Sequence, residues 1–170
     1  MKTENTLSVC VVDDDDLFLK SLKHHLQDKW RDRIKIRIFH SGEEFLKYIP
    51  NHKTDIVILD YVLNSLYPFA MDGRSVLQKI KQTSPEIKVI MLSGQDKIEV
   101  ALDSIKNGAF DYVTKNDLTF LKVQNSIKSA IETITTVKRV QAFRRYLIAT
   151  ILFVVAVSLV MILYKVFFTS

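Results

Sequence analysis

Four short stretches of the chain carry residue types that can do chemistry together: Asp13-Asp14-Asp15-Asp16, Asp60, Ser93 and Thr114-Lys115. Carboxylates gathered within a few ångströms repel one another unless a hard cation shares them, and Mg²⁺ favours a few carboxylates together with water and phosphate oxygens. A carboxylate is also a nucleophile that can take a phosphoryl group and become an acyl phosphate. Such a transfer rests on in-line positioning and charge neutralisation, which Mg²⁺ and Lys115 would supply. Asp60 is the candidate for the reactive acid because it ends the apolar run Ile56 to Leu59. Taken alone, Asp60 reads as a helix cap, a common job for Asp. The convergence of the other stretches favours the chemical reading.

The elements that must bring these residues together follow from hydrophobic spacing. Leu7 to Val12 reads as a strand, followed by Leu17, Leu22 and Leu26 at roughly helical spacing. Ile34, Ile36 and Ile38 alternate with Lys35 and Arg37, the pattern of a strand half exposed at a sheet edge. Ser41-Gly42-Glu43-Glu44 predicts a capping box that opens a short helix ending before Pro50. Ile56 to Leu59, apolar at every position, predicts a strand covered on both faces. A helix is expected over Gly73 to Gln82, a strand over Lys88 to Leu92, a helix over Ile98 to Lys106, a strand over Phe110 to Thr114 and a long helix from Leu118. Five strands, each followed by a helix, argue for an α/β doubly wound parallel sheet, in which ligand chemistry gathers at the carboxyl ends of the strands. Those ends carry the four reactive stretches. Cys10, the only cysteine, falls inside the first strand and is expected to pack.

Val11-Val12-Asp13-Asp14-Asp15, Ile58-Leu59-Asp60, Met91-Leu92-Ser93-Gly94 and Asn107 to Lys115 resemble the receiver domain of bacterial two-component response regulators. Four motifs in the right order on the right strands carry the resemblance, which covers about residues 7–137. It implies a flavodoxin-like five-stranded sheet of order 2-1-3-4-5. It also implies that Asp60 accepts the phosphoryl group and that Mg²⁺ is held by Asp13, Asp14, Asp60 and the backbone carbonyl of Val62. Ser93 would be the hydroxyl that moves to the phosphoryl group, Lys115 its ion-pair partner and Tyr112 the aromatic switch. Asp15 and Asp16 are expected in the first turn of the first helix, where they suit its dipole. The partners implied are a histidine kinase or phosphotransfer protein and a downstream protein target. The chain is not expected to be an enzyme beyond its own phosphorylation and hydrolysis of the acyl phosphate.

Two features depart from that family. Receivers usually carry a proline after the lysine, often with a cis bond, where this chain has Asn116. The segment Tyr61 to Ala70 is longer and more apolar than usual and is expected to form a flap near the acid.

Net charge separates the last part of the chain from the rest. Residues 1–137 hold 19 basic and 19 acidic residues, and the whole excess of +5 comes from Lys138, Arg139, Arg144, Arg145 and Lys165. These flank an uncharged run, which makes them a membrane-topology signal and argues against a nucleic-acid partner. Tyr146 to Tyr164 is 19 residues without a charge. As a helix it spans about 28 Å, close to the roughly 30 Å of a bilayer core. The organisation expected is a receiver domain over 1–137, a basic juxtamembrane linker over 138–145 and a transmembrane helix over 146–168. Tyr146 and Tyr164 suit the interfaces, and Lys165 can reach back to one. The basic excess before the span puts the receiver in the cytoplasm, as a single-pass C-terminal anchor. No apolar leader opens the chain, which agrees. The reading is thus a membrane-tethered, single-domain response regulator; a phosphorylation-independent membrane adaptor and a phosphate sink are the alternatives.

Overall fold

The computed structural model describes residues 6–63, 70–94 and 97–168, the last five by backbone alone. The flap expected over Tyr61 to Ala70 falls largely on residues 64–69 and so lies outside the described residues, as do the side chains of Tyr164 and Lys165. The chain divides into two compact units, residues 1–130 and 131–170.

The first unit alternates strand and helix: β1 Leu7–Val12, α1 Asp16–Trp30, β2 Ile34–Phe39, α2 Gly42–Tyr48, β3 Ile56–Asp60, α3 Gly73–Thr83, β4 Lys88–Ser93, α4 Ile98–Lys106, β5 Asp111–Thr114 and the start of α5, Thr119–Phe168. All strands are parallel and their order is β2-β1-β3-β4-β5. This is the doubly wound sheet expected from the alternation of apolar runs and helical patterns.

Every residue of β3 is buried, as a strand in mid-sheet with helices on both faces requires. β2, at the edge, instead alternates, with Lys35 and Arg37 exposed between partly or fully buried isoleucines. Charged side chains on an edge strand also discourage pairing with a second sheet. One layer of the core joins Val57, Leu59, Val89 and Met91 of the central strands to Phe45 of α2 and Val76, Leu77 and Ile80 of α3. Each such fully buried side chain contributes about 1.5–3 kcal/mol relative to exposure. Cys10 packs in this layer with no exposed surface. Val123, Ile127 and Ala130 are the buried face of α5 within the first unit.

Helix starts follow local chemistry, with two differences from expectation. Asp15 is the N-cap of α1 rather than part of its first turn: its carboxylate accepts from the N–H groups of Leu17 at 2.9 Å and Phe18 at 3.0 Å. At α2, Ser41 caps the N–H of Glu44 as expected, but the Glu44 carboxylate accepts from His40 N–H at 3.2 Å, one residue before the cap. Beyond the C-cap of α4, Asn107, comes Gly108, whose φ of +93° lies in the left-handed region that favours glycine.

The second unit is helical from Ile131 through Phe168, the continuation of α5. From Leu147 to Leu163 its large apolar side chains are 44 to 70 % exposed.

Candidate functional site

The register of the sheet explains why residues distant in sequence meet. Val12 lies beside Leu59, Asp60 beside Leu92, and Ser93 beside Thr114. Asp13, Asp60, Ser93 and Lys115 therefore leave the sheet at one edge, the carboxyl ends of four neighbouring strands. Asp13 and Ser93 have no exposed surface and Asp60 is 4 % exposed.

Backbone bonds fix each position. Asp13 N–H donates to Phe39 carbonyl oxygen at 3.2 Å, while its carboxylate accepts from Asp15 N–H at 3.0 Å. Tyr61 N–H donates to Leu92 carbonyl oxygen at 2.8 Å, and Lys115 N–H to Ser93 carbonyl oxygen at 2.7 Å. Gly73, the first residue of α3, donates to Tyr61 carbonyl oxygen at 3.0 Å. A Cβ at position 73 would fall on the carbonyl oxygen of Asp60, so the helix reaches the acid's backbone only because the residue is glycine. Val62, two residues beyond Asp60, begins the segment that leads away from the sheet and has an exposed side chain.

The side chains form a compact charged group. One carboxylate oxygen each from Asp13, Asp14 and Asp60 lies within 4.8 Å of the others. Lys115 Nζ is 2.7 Å from Asp13 Oδ2 and 2.9 Å from Asp60 Oδ1. Burial, reinforced by the neighbouring Asp13 charge and opposed by Lys115, pushes the Asp60 carboxyl up to about 6. Burial raises Asp13 as well, against the pull of Lys115. For Lys115 burial acts in the opposite direction, but the Asp60 and Asp13 carboxylates outweigh it and raise its pKa. One ammonium shared by two buried acids, with a third beside them, leaves an excess of negative charge. The donor set is all oxygen, which suits a hard divalent cation such as Mg²⁺. The residues present therefore fit the ion that receiver domains use at such a cluster.

Sequence-predicted residues divide into those the fold gathers and those it sets nearby. Lys115 contacts Asp13 and Asp60 directly, Asp14 lies within 4.8 Å of both acids, and Ser93 joins them through its backbone bond to Lys115. Tyr112, half-buried on β5, packs against the core layer that holds Leu59 and Met91. The departure after Lys115 is accommodated by a turn. The Lys115–Asn116 peptide is trans, Asn116 Oδ1 accepts from Leu118 N–H at 3.0 Å, and Asn116 N–H donates to Thr119 Oγ1 at 2.6 Å. Asn116 thus closes a turn just before α5, and Lys115 still reaches both acids.

Sequence reasoning missed Phe18 and Gly73. The ring of Phe18, one turn into α1, lies against Lys115, with Nζ 4.7 Å from its centroid. Among Leu17, Leu19 and Leu22 an aromatic residue looks like packing, and nothing in the spacing marks it. Gly73 carried a signal, a glycine directly after the acid Asp72 that caps α3 through Ser75 N–H.

Comparison with known proteins places the chain in context. The family described as Response regulator receiver domain matches residues 9–125. The chain is 33 % identical over 109 residues to the heme response regulator HssR of Staphylococcus epidermidis, covering 64 % of this chain and 45 % of HssR. It is 28 % identical over 129 residues to the transcriptional regulatory protein ZraR of Escherichia coli, covering 76 % of this chain and 27 % of ZraR. The chain thus spans less than half the length of the curated relatives it matches. Among solved structures, the response regulator DrrB of Thermotoga maritima aligns with a TM-score of 0.62 at 31 % identity, covering 75 % of this chain and 54 % of DrrB. The receiver domain of NtrX from Brucella abortus aligns with a TM-score of 0.64 at 28 % identity, covering 74 % of this chain and 98 % of that domain. With its sheet order, its acid cluster and a family match over most of its length, the chain belongs to the response regulator receiver domain family.

Proposed function

We propose that Asp60 is the phosphoryl acceptor of a membrane-tethered response regulator and that the contacts its first unit makes with other proteins change on phosphorylation. Membership of the receiver family supports phosphoryl acceptance in two-component signalling. The observation that carries the residue assignment is the buried Asp60 carboxylate, held 2.9 Å from Lys115 at the end of the central strand. An Asp60 oxygen attacks the phosphorus of a phosphohistidine on a kinase or phosphotransfer protein. The phosphorus–nitrogen bond breaks, and its electron pair stays on the imidazole. Raised only to about 6, Asp60 is mostly ionised at neutral pH and ready to attack. Lys115 pairs with the phosphoryl oxygens, Ser93 turns its hydroxyl toward them, and Tyr112 follows Ser93.

Asp13, Asp14, Asp60 and the Val62 carbonyl would hold Mg²⁺. When bound, the ion supplies neutralisation of the charge that gathers on the transferring group. The site acts on its own carboxylate and turns over no separate substrate, in keeping with receivers generally not being classical enzymes.

The organisation proposed is a receiver over 1–137, a basic linker over 138–145 and a membrane span over 146–168. Three observations support the span. α5 contains a stretch long and apolar enough to cross a bilayer, with none of that stretch buried. Its hydroxyls turn inward, Thr150 Oγ1 donating to Leu147 carbonyl oxygen at 2.8 Å and Ser158 Oγ to Val154 carbonyl oxygen at 2.9 Å, so neither presents an unmet donor to lipid. The four basic residues before the span orient the receiver to the cytoplasm, where kinases and ATP are found.

The test is labelling of the full chain in detergent micelles by a small phosphodonor such as acetyl phosphate, with and without Mg²⁺, beside Asp60→Asn. Labelling that needs both Mg²⁺ and Asp60 is expected. Label that persists in Asp60→Asn moves the acceptor elsewhere. A folded wild-type chain that takes no label overturns the proposal in favour of a phosphorylation-independent adaptor.

A further inference from the structure

Lys115 has a placement problem that its charge does not solve. Its backbone is fixed by the bond to Ser93 and by the Asn116 turn that follows, but four methylenes and their rotamers separate that backbone from the ammonium. The two carboxylates attract Nζ at 2.7 Å and 2.9 Å, yet a flexible point charge can satisfy a pair of acids from several directions. One further contact restricts those directions. Nζ stands 4.7 Å from the centroid of the Phe18 ring, within the range where a cation is drawn to the negative face of an aromatic ring.

The ring is itself held. Phe18 meets Phe120 edge to face, with centroids 5.8 Å apart and planes at 62°. Phe120, in the first turn of α5, has His25 of α1 against it at 5.3 Å between centroids. The cap that starts α1, Asp15, accepts directly from Phe18 N–H. Backbone and ring of Phe18 are therefore both fixed, and the fixed ring lies against the Lys115 ammonium. An aliphatic residue would fill this space without attracting the ammonium.

We infer that Phe18, braced by Phe120, is a positioning residue that aims the Lys115 ammonium at the group transferred to Asp60. Phosphoryl transfer then depends on the aromatic character of position 18, although Phe18 touches no reacting atom. The inference rests on the proposed roles of Asp60 and Lys115.

Two measurements on the full chain in micelles test it and separate it from that reading. The first is NMR of the lysine ε-methylene groups, selectively ¹³C-labelled, with Lys115→Arg to identify the signal. A ring above the ammonium shifts that signal upfield; the shift is expected in the wild type and in Phe18→Tyr, and lost in Phe18→Leu. The second is the rate of Mg²⁺-dependent labelling by acetyl phosphate, expected to fall about threefold to tenfold in Phe18→Leu and to recover in Phe18→Tyr. The lysine signal reports the ring's place beside the ammonium, and the rate reports its use: a merely structural role predicts no recovery of rate specific to the aromatic variant. If the wild type is labelled on Asp60 and Phe18→Leu is labelled at the same rate, the positioning role is overturned, whatever the lysine signal does, and the acceptor reading stands. If the wild type is not labelled, the acceptor reading falls, and the lysine signal still decides whether the ring holds the ammonium.

Discussion

The two units break the ordinary rule of burial in opposite directions. At the edge of the sheet, Asp13 and Asp60 are charged groups taken out of water. Along 147–163, leucines, valines, isoleucines and a phenylalanine are apolar groups left out in the open. In the first region the protein compensates from within: Lys115 bridges both acids, and backbone bonds hold the strand ends in place. In the second, nothing in the described residues covers the apolar face. The compensated violation is where the acids cluster, and its residual negative charge suits the cation proposed there. The uncompensated one leaves large apolar side chains exposed, which in water forgoes about 25 cal/mol for each Å² and agrees with the membrane span proposed above.

The largest effect should come from removing the second violation. A chain ended after Arg145 is expected to move almost entirely from the membrane to the soluble fraction on cell fractionation. Retention at the membrane would instead assign the attachment to the basic segment or to a partner.

A smaller effect probes the first region through pH. Folded Asp60 titrates at about 6, above the ordinary carboxylate value of 3.8. Between those values the folded protein keeps a proton that the unfolded chain has released, so the unfolded state binds fewer protons. Stability of the metal-free chain should therefore fall as pH rises through that window and level off above it. Asp60→Asn should remove a fall on the order of 2–3 kcal/mol. Urea unfolding at pH 4 and pH 7 measures the difference; a wild type equally stable at both would mean that the buried acids are better compensated than their geometry implies.

The smallest effect separates two acids of the same run. Asp15→Ala should destabilise the fold by about 1 kcal/mol, the usual loss of an N-cap, while leaving phosphodonor labelling intact. Loss of label without loss of stability would reassign Asp15 from the helix to the chemistry.

The strands were legible because their signal is simple. Each observed strand boundary lies within one residue of the apolar run that predicted it, β1 with no offset at all. The acids and the lysine were legible for the same reason, since a polar residue directly after a buried strand has one place to go. Side-chain pairings were not. That Asp13 as well as Asp60 takes Lys115 depends on register between strands about a hundred residues apart, which no local pattern encodes. Asp15 and Asp16 differ in role by one step of the backbone, cap against first turn, a distinction finer than spacing resolves. Phe18 was hidden because packing and cation binding ask for the same residue type at the same place.

The buried cysteine has a practical consequence. Cys10 has no exposed surface, and burial pushes its thiol up to about 11, so hardly any of it is thiolate at neutral pH. It is also the only cysteine in the sequence. A maleimide dye or a nitroxide spin label will pass over it while the protein is folded. The natural chain is thus already a silent background for reporter cysteines, one beside the acid cluster and one in the apolar helix, with no native residue to remove first.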